Sequence, residues 1–213
     1  MKKGTKEALI DFETLGGDAT DCVVLDCAVL IFDRERFTSD NPYTIAELKN
    51  VTRFKLSVQD QVSNYKYVVE NRVIDFWSKQ DKEVRAKIKP LPDDITVTEF
   101  TVQFLDLISK EKIGWWWSRG NAFDPVILTR LFKSQDKVDH LNGFLKFWAV
   151  QDMRTFINAK FDFPDQNGFA PFEDKEAWEK IFKQHDSSWD VLADLLRLQA
   201  IARAEDDLEQ VKL

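Results

Sequence analysis

Ala8, Leu9 and Ile10 lead straight into Asp11, Phe12 and Glu13, and this apolar run closing on alternating acids constrains the chain more than any other stretch. Strand side chains alternate between faces with a period of two, so Asp11 and Glu13 point the same way. A same-face acidic pair at the end of a buried strand suits a cation. Taken alone, however, the stretch describes an ordinary strand that reaches the surface and ends in two solvated acids. What reverses that reading lies far downstream.

At 213 residues the chain has the length of one domain, and residues 1–213 are expected to form one. Hydrophobic residues make up 44%, with 17 Phe and 7 Trp, which suffices for a well-buried core. The net charge of −7 argues against a protein that coats nucleic acid through a general basic field, because such binding leans on phosphate neutralisation by Lys and Arg. A local basic groove or a cation-mediated phosphate contact stays open. Cys22 and Cys27 are an odd number of positions apart, which on one strand puts them on opposite faces and prevents a disulfide. The apolar run before Asp11 is too short for a signal peptide or membrane span, so a soluble, cytoplasmic protein without a membrane partner is expected.

After a turn at Leu15, Gly16, Gly17 and Asp18, residues 22–33 form a long apolar, β-branched run that predicts a buried strand. Residues 50–56 alternate and predict a third strand with one wetter face, giving an antiparallel meander with the acids at the end of its first member. Val73, Phe76 and Trp77, then Val84 and Ile88, predict two short helices between Tyr65 and Pro90. Thr96 and Glu99 have capping-box spacing ahead of Val97, Phe100, Phe104, Leu107 and Ile108, which recur at helical intervals. Residues 114–118 predict another strand, and Pro125 favours the first turn of a helix, so Asp124 falls at a strand-to-helix junction. Residues 147–152 predict a strand ending at Asp152, and residues 158–174, rich in Asp, Pro, Gly and Asn, an exposed excursion. Asp186, Ser187 and Ser188 are good cap residues for a final helix running through Trp189, Leu192, Leu195 and Leu198 toward Glu205.

Each polar residue in these places has an ordinary reading: Asp124 as a helix cap, Asp190 as a partner of the helix dipole, His185 as a surface residue. Together, however, the pair Asp11 and Glu13, then Phe123 with Asp124, then His185 with four residues before Asp190 resemble the DnaQ-like, or DEDDh, 3′-5′ exonucleases of the ribonuclease H-like superfamily. The likeness is sharper for the phage exonuclease A (DexA) type, through Leu9 to Thr14, Arg119 and Gly120, Phe147 and Trp148, Asp152 to Thr155, and Gln184 to Ser187. No tyrosine follows Tyr67, which sets the chain apart from the tyrosine-type relatives. Asn121 sits one place nearer to Asp124 than the asparagine of many relatives and receives no role. Asp186 and Asp194 are further acids near the last motif; Asp194 is read as solvated, with a place behind Asp190 as the alternative.

The resemblance implies an α/β fold of ribonuclease H-like architecture, a mixed sheet of antiparallel opening strands plus parallel strands flanked by helices. It implies Asp11, Glu13, Asp124 and Asp190 as metal ligands and, with His185, as the catalytic set. Four converging carboxylates repel one another and raise one another's pKa unless a cation neutralises them. All-oxygen ligands favour Mg²⁺ or Mn²⁺, and phosphodiester hydrolysis benefits from two such ions about 3.5–4 Å apart. His185 would be the general base, its ordinary pKa near 6.5 suiting neutral pH. By the same resemblance Phe12, Thr14 and Leu15 approach the 3′-terminal nucleotide, and Trp77 offers either a stacking surface or, more ordinarily, a core side chain. The expected activity is hydrolysis of single-stranded DNA from its 3′ end to mononucleotides, in the host cytoplasm if the chain is phage-encoded. The alternatives are a 3′-5′ exoribonuclease and a catalytically inactive module that binds nucleic-acid ends.

Overall fold

The apolar alternation read around Asp11 builds the centre of the molecule. The structure, a computed structural model, describes residues 6–160 and 180–211. Strand β1 (Lys6–Thr14) pairs antiparallel with β2 (Val24–Phe32), and β2 with β3 (Thr52–Lys55), which is the expected meander. Three helices follow, α1 (Val58–Tyr65), α2 (Asn71–Ser78) and α3 (Lys82–Ile88), and then α4 (Val97–Ser109). The sheet resumes with β4 (Ile113–Ser118), parallel to β1. Helices α5 (Asp124–Lys133) and α6 (Val138–Phe144) lead to β5 (Val150–Asp152), parallel to β4, and α7 (Met153–Lys160) follows directly. The last described element is α8 (Ser187–Val211). Strand order is β3-β2-β1-β4-β5, so β1 lies at the middle of a mixed sheet flanked by helices.

Two apolar layers clamp that sheet. Ala8, Ile10 and Phe12 face one way, where Phe100 and Phe104 of α4 and Leu128 and Phe132 of α5 meet them. Leu9 faces the other way and packs with Val191, Leu192 and Leu195 of α8. The period-two alternation of β1 therefore assigns Asp11 and Glu13, which follow Leu9 in phase, to the side covered by α8.

Several expectations change. Helix α1 was absent from the sequence reading because its apolar face is sparse; Ser57 caps it by accepting from the Asp60 N–H, and Gln61 is fully buried with its amide bridging to Val24. Residues 147–149 form a 3₁₀ turn instead of the start of a strand, and only Val150–Asp152 pair with β4. The reason is that Phe147 and Trp148 project outward at 75% and 64% exposure, where no sheet neighbour covers them. Cys22 and Cys27 are both free and buried, as expected, yet they share one apolar layer. Cys22 precedes β2, next to a register shift between Glu13 and Thr14, so strict alternation does not reach it. Of the excursion expected at 158–174, residues 158–160 belong to α7 and the rest lie outside the described residues.

Glu7 ties β1 to its surroundings. Its side chain is fully buried, accepts from Arg34 Nε and Nη2 at 2.6 and 2.8 Å, and accepts from the Trp117 indole N–H at 2.6 Å. Removing Glu7 strands the buried Trp117 indole N–H and the Arg34 guanidinium, although Arg34 at 35% side-chain exposure regains water. Glu7→Ala is therefore expected to lower unfolding free energy by about 1–3 kcal/mol in urea. Glu7→Gln, which keeps acceptors for part of the network, should lose less.

Candidate active site

The acidic residues meet where the C-terminal half of β1 passes under the first turn of α8. One carboxylate oxygen each from Asp11, Glu13 and Asp190 lie within 4.8 Å of one another. The strand supplies two of these because its period is two, and the helix supplies the third because Asp190 occupies its first turn. Asp124 joins from the opposite layer. It begins α5, with Pro125 behind it, and its Oδ1 accepts the backbone N–H of Phe12 at 3.3 Å. That bond fixes Asp124 to the residue between the two β1 acids.

Electrostatics follow from this crowding. Burial raises the pKa of Asp11 well above the ordinary carboxylate value, and Asp124 and Asp190 raise it further. Glu13 is raised well above its ordinary value by burial, then by Asp11 and Asp190. Burial carries Asp124 to about 7 against the lowering effect of the Phe12 N–H, and Asp190 to about 8, with Asp194 adding to the rise and Arg119 and Arg197 opposing it. Such groups are costly together unless a cation neutralises them, and an all-carboxylate donor set fits a hard, oxygen-seeking divalent ion.

His185 stands just before α8 in a left-handed conformation, φ 63°. Its ring meets Phe76 and Trp77 of α2 edge to face, with centroids 5.0 and 6.3 Å apart. Burial against them lowers the imidazole pKa. Trp77 itself is buried, and its indole N–H donates to the Thr14 carbonyl at 2.8 Å. Of its two possible roles the core one holds: the indole anchors the end of β1 and forms a wall for His185.

The residues expected near a nucleotide are placed differently from one another. Phe12 turns its ring into the core against Phe100, so it reaches the acids only through its backbone. Thr14 is buried, and its hydroxyl donates to Gly16 O at 2.8 Å. Leu15 is partly buried and lines a cleft with Leu25, Ile74, Trp77 and Arg85.

Sequence reasoning missed some of the surrounding charge. Asp26 is fully buried in β2, opposite Glu13 in the sheet register, and is paired with Arg53. Burial raises its pKa while Arg53 opposes the rise. A lone acid inside the apolar run 22–33 was the available signal. Asp194 is no solvated acid: it is buried between Arg119 and Arg197, with Arg197 Nη1 at 2.8 Å. Asp186 is also buried, pairs with Lys87, and accepts the Ser188 N–H at 3.1 Å as α8 begins. Asn121, left without a role, donates its N–H to Asp152 Oδ2 at 2.8 Å, and Gly120 beside it takes φ 135°, a conformation glycine favours.

Comparison with solved structures places this arrangement in a known fold. E. coli exonuclease I in complex with a dA16 oligonucleotide matches over 93% of this chain and 40% of that one, with TM-score 0.58 and 16% identity. Its complex with a dT13 oligonucleotide matches over 94% and 40%, with TM-score 0.57 and 15% identity. A zinc-bound form of an exonuclease I complex with single-stranded DNA gives TM-score 0.53 at 16% identity, covering 94% and 40%. The chain thus spans about two fifths of exonuclease I and shares its ribonuclease H-like fold. No curated protein matches the sequence significantly. A family model, the 3′-5′ exoribonuclease Rv2179c-like domain, matches residues 6–187. With the acids of β1, α5 and α8 gathered on that fold, the chain belongs to the Rv2179c-like family of 3′-5′ exonucleases.

Proposed function

We propose that residues 1–213 act as one metal-dependent 3′-5′ exonuclease domain that releases mononucleotides from the 3′ ends of single-stranded DNA, in the cytoplasm. The observation that carries this reading is the approach of Asp11, Glu13 and Asp190 within 4.8 Å, with Asp124 tied to the same strand. These four carboxylates would hold two Mg²⁺ or Mn²⁺ ions. When bound, the ions supply charge neutralisation at the phosphodiester and at the departing 3′-oxygen.

The chain's own residues do the rest. His185, kept neutral by burial, accepts a proton from the attacking water at an imidazole nitrogen. The water oxygen bonds to phosphorus as the P–O3′ bond breaks; the mononucleotide leaves with the new P–O bond, and the 3′-oxygen of the shortened strand keeps the electron pair and takes up a proton from solvent. The backbone of Phe12 and the side chains of Thr14 and Leu15 border the terminal nucleotide. DNA as the substrate rests on the likeness of the motifs to the phage exonuclease A type. RNA is the second reading, favoured by the exoribonuclease description of the matching family. Discrimination between them turns on how the site receives the 2′-hydroxyl.

Degrading matched single-stranded DNA and RNA with free or blocked 3′ ends, with Mg²⁺ or EDTA, tests the proposal directly. DNA shortened from a free 3′ end only with Mg²⁺ is the expected result, and Asp11→Ala and Asp124→Ala should abolish it. Faster turnover of RNA would install the second reading. Wild-type rates in either variant would remove the metal-ligand assignment.

His185→Ala is expected to lower kcat by roughly 10²–10⁴-fold with little change in KM, because the base acts only on the way to the transition state. A loss confined to KM would contradict the base role.

The acids also predict how stability depends on pH. Asp124 and Asp190 titrate at about 7 and about 8 in the cation-free fold against an ordinary 3.8. A folded-state pKa raised in this way contributes stability that is present below the ordinary value and lost as pH rises through the raised one. In EDTA the melting temperature should therefore fall from about pH 5 to about pH 8, and Mg²⁺ or Mn²⁺ should raise it more at the higher pH. Equal gains at both would contradict binding by these carboxylates.

A further inference from the structure

Helix α3 has no part in the exonuclease reading, yet it grips the segment that carries His185 at two points. At its start Asp81 caps the helix by accepting the Glu83 N–H at 2.7 Å, and Asp81 and Glu83 together lie 3.5 and 3.4 Å from Lys183 Nζ. In its last turn Lys87 pairs with Asp186. The charges are crossed, acids of the helix on a lysine of the segment and a lysine of the helix on its acid, which favours one register over the reverse.

The two grips differ in burial. The contacts of Lys183 are exposed and contribute little. Asp186 is 2% exposed, and all its polar atoms are engaged. Its Oδ2 accepts from Lys87, its Oδ1 accepts the Ser188 N–H at 3.1 Å, its carbonyl accepts the Asp190 N–H at 2.9 Å, and its N–H donates to Lys183 O at 3.2 Å. A buried carboxylate needs its counter-charge, so Lys87 fixes the residue that joins His185 to α8. Helix α3 is itself seated. Val84 and Ile88 pack with Leu25 and Trp77, and the Lys87 carbonyl accepts from Arg53 Nη2 at 3.4 Å, the guanidinium that pairs with Asp26 opposite Glu13.

His185 depends on such a hold. Its φ of 63° is a conformation that residues other than glycine seldom adopt and that persists only where the surroundings impose it. A catalytic base is ordinarily oriented by a third group bonded to its ring. Among the described residues no group hydrogen-bonds this imidazole, which meets only the rings of Phe76 and Trp77. Its place is therefore set by that aromatic wall and by the backbone. Asp190 is less dependent, because it lies within α8 beside the buried Val191 and Leu192.

We propose that Lys87 is a positioning residue for His185, holding the base in place through Asp186, an inference that rests on the exonuclease reading of the acidic cluster. Lys87 touches no substrate; it fixes the peptide from which the imidazole reaches its proton.

The test uses the full chain with ¹³C-labelled histidine rings, since His140 and His185 are its two histidines. The rings of Phe76 and Trp77 should shift the His185 signals away from those of an exposed imidazole, and the exposed His140 of α6 reports whether the fold is intact. Lys87→Met should return the His185 signals toward the exposed position while those of His140 stay. Asp186→Asn, which removes the ion pair without stranding a charge and keeps an acceptor for the Ser188 N–H, should do the same, and Lys87→Arg should keep the wild-type spectrum. In hydrolysis with Mg²⁺, Lys87→Met should lose roughly 10–100-fold in kcat with KM little changed. Added to His185→Ala it should cost little more, because both act on one step. His185 signals that stay in place in both Lys87→Met and Asp186→Asn, or a Lys87→Met loss repeated in full on His185→Ala, overturn the positioning role. Displaced His185 signals without hydrolysis by wild type uphold the hold on the imidazole and overturn the nuclease reading instead.

Discussion

Repulsion among four carboxylates is the constraint around which the rest of the structure is arranged. Asp11 and Glu13 are held on one face by β1, Asp190 is pressed toward them by α8, and Asp124 is tied to the Phe12 N–H between them. None of the four forms an ion pair among the described residues, while the buried acids around them each do: Asp26 with Arg53, Asp186 with Lys87, and Asp194 with Arg119 and Arg197. The fold pairs its structural acids and leaves the central ones without an ion-pair partner among the described residues, with Arg119 and Arg197 acting on Asp190 only through their field. That difference supports the proposed cation site, since each unmatched buried charge is unfavourable unless something else supplies the opposite sign.

A scaffold must be stiff to hold like charges together. Here stiffness comes from β1, whose Ala8, Leu9, Ile10 and Phe12 are almost fully buried between two apolar layers. Glu7 pins one end of the strand through Arg34 and Trp117, and Trp77 holds the other through the Thr14 carbonyl. Because Trp77 also backs His185, a single indole links the end of the acidic strand to the imidazole wall. Stability given up at a functional cluster is recovered in the core that surrounds it.

Local periodicity made the placement of the acids legible, while their grouping as one site came from the resemblance carried by the spaced motifs. Period-two alternation put Asp11 and Glu13 on one face, Pro125 located the start of α5, and the cap residues before Trp189 located α8. The capping box at Thr96 and Glu99 is formed as its spacing predicts. What stayed hidden depends on long-range contacts. The opposition of Asp26 to Glu13 is a matter of register, and the burial of Asp194 requires Arg119 from 75 positions away. Helices α6 and α7 are short, and their apolar residues carry too little period to stand out from their surroundings. The strand expected at 147–152 is shortened to Val150–Asp152 for the opposite reason: its first residues look apolar, but Phe147 and Trp148 face solvent.

The acids also bear on how a chain of net charge −7 could engage a polyanion under the proposed function. Net charge sets the far field, which at physiological salt is screened beyond about 8 Å, whereas a bound phosphate feels the groups within a few ångströms of it. Phosphate and the carboxylates of Asp11, Glu13, Asp124 and Asp190 repel one another until a divalent ion joins them. On that reading the far field disfavours a polyanion everywhere on the surface, and the cation-loaded cluster is the place where the local sign is reversed.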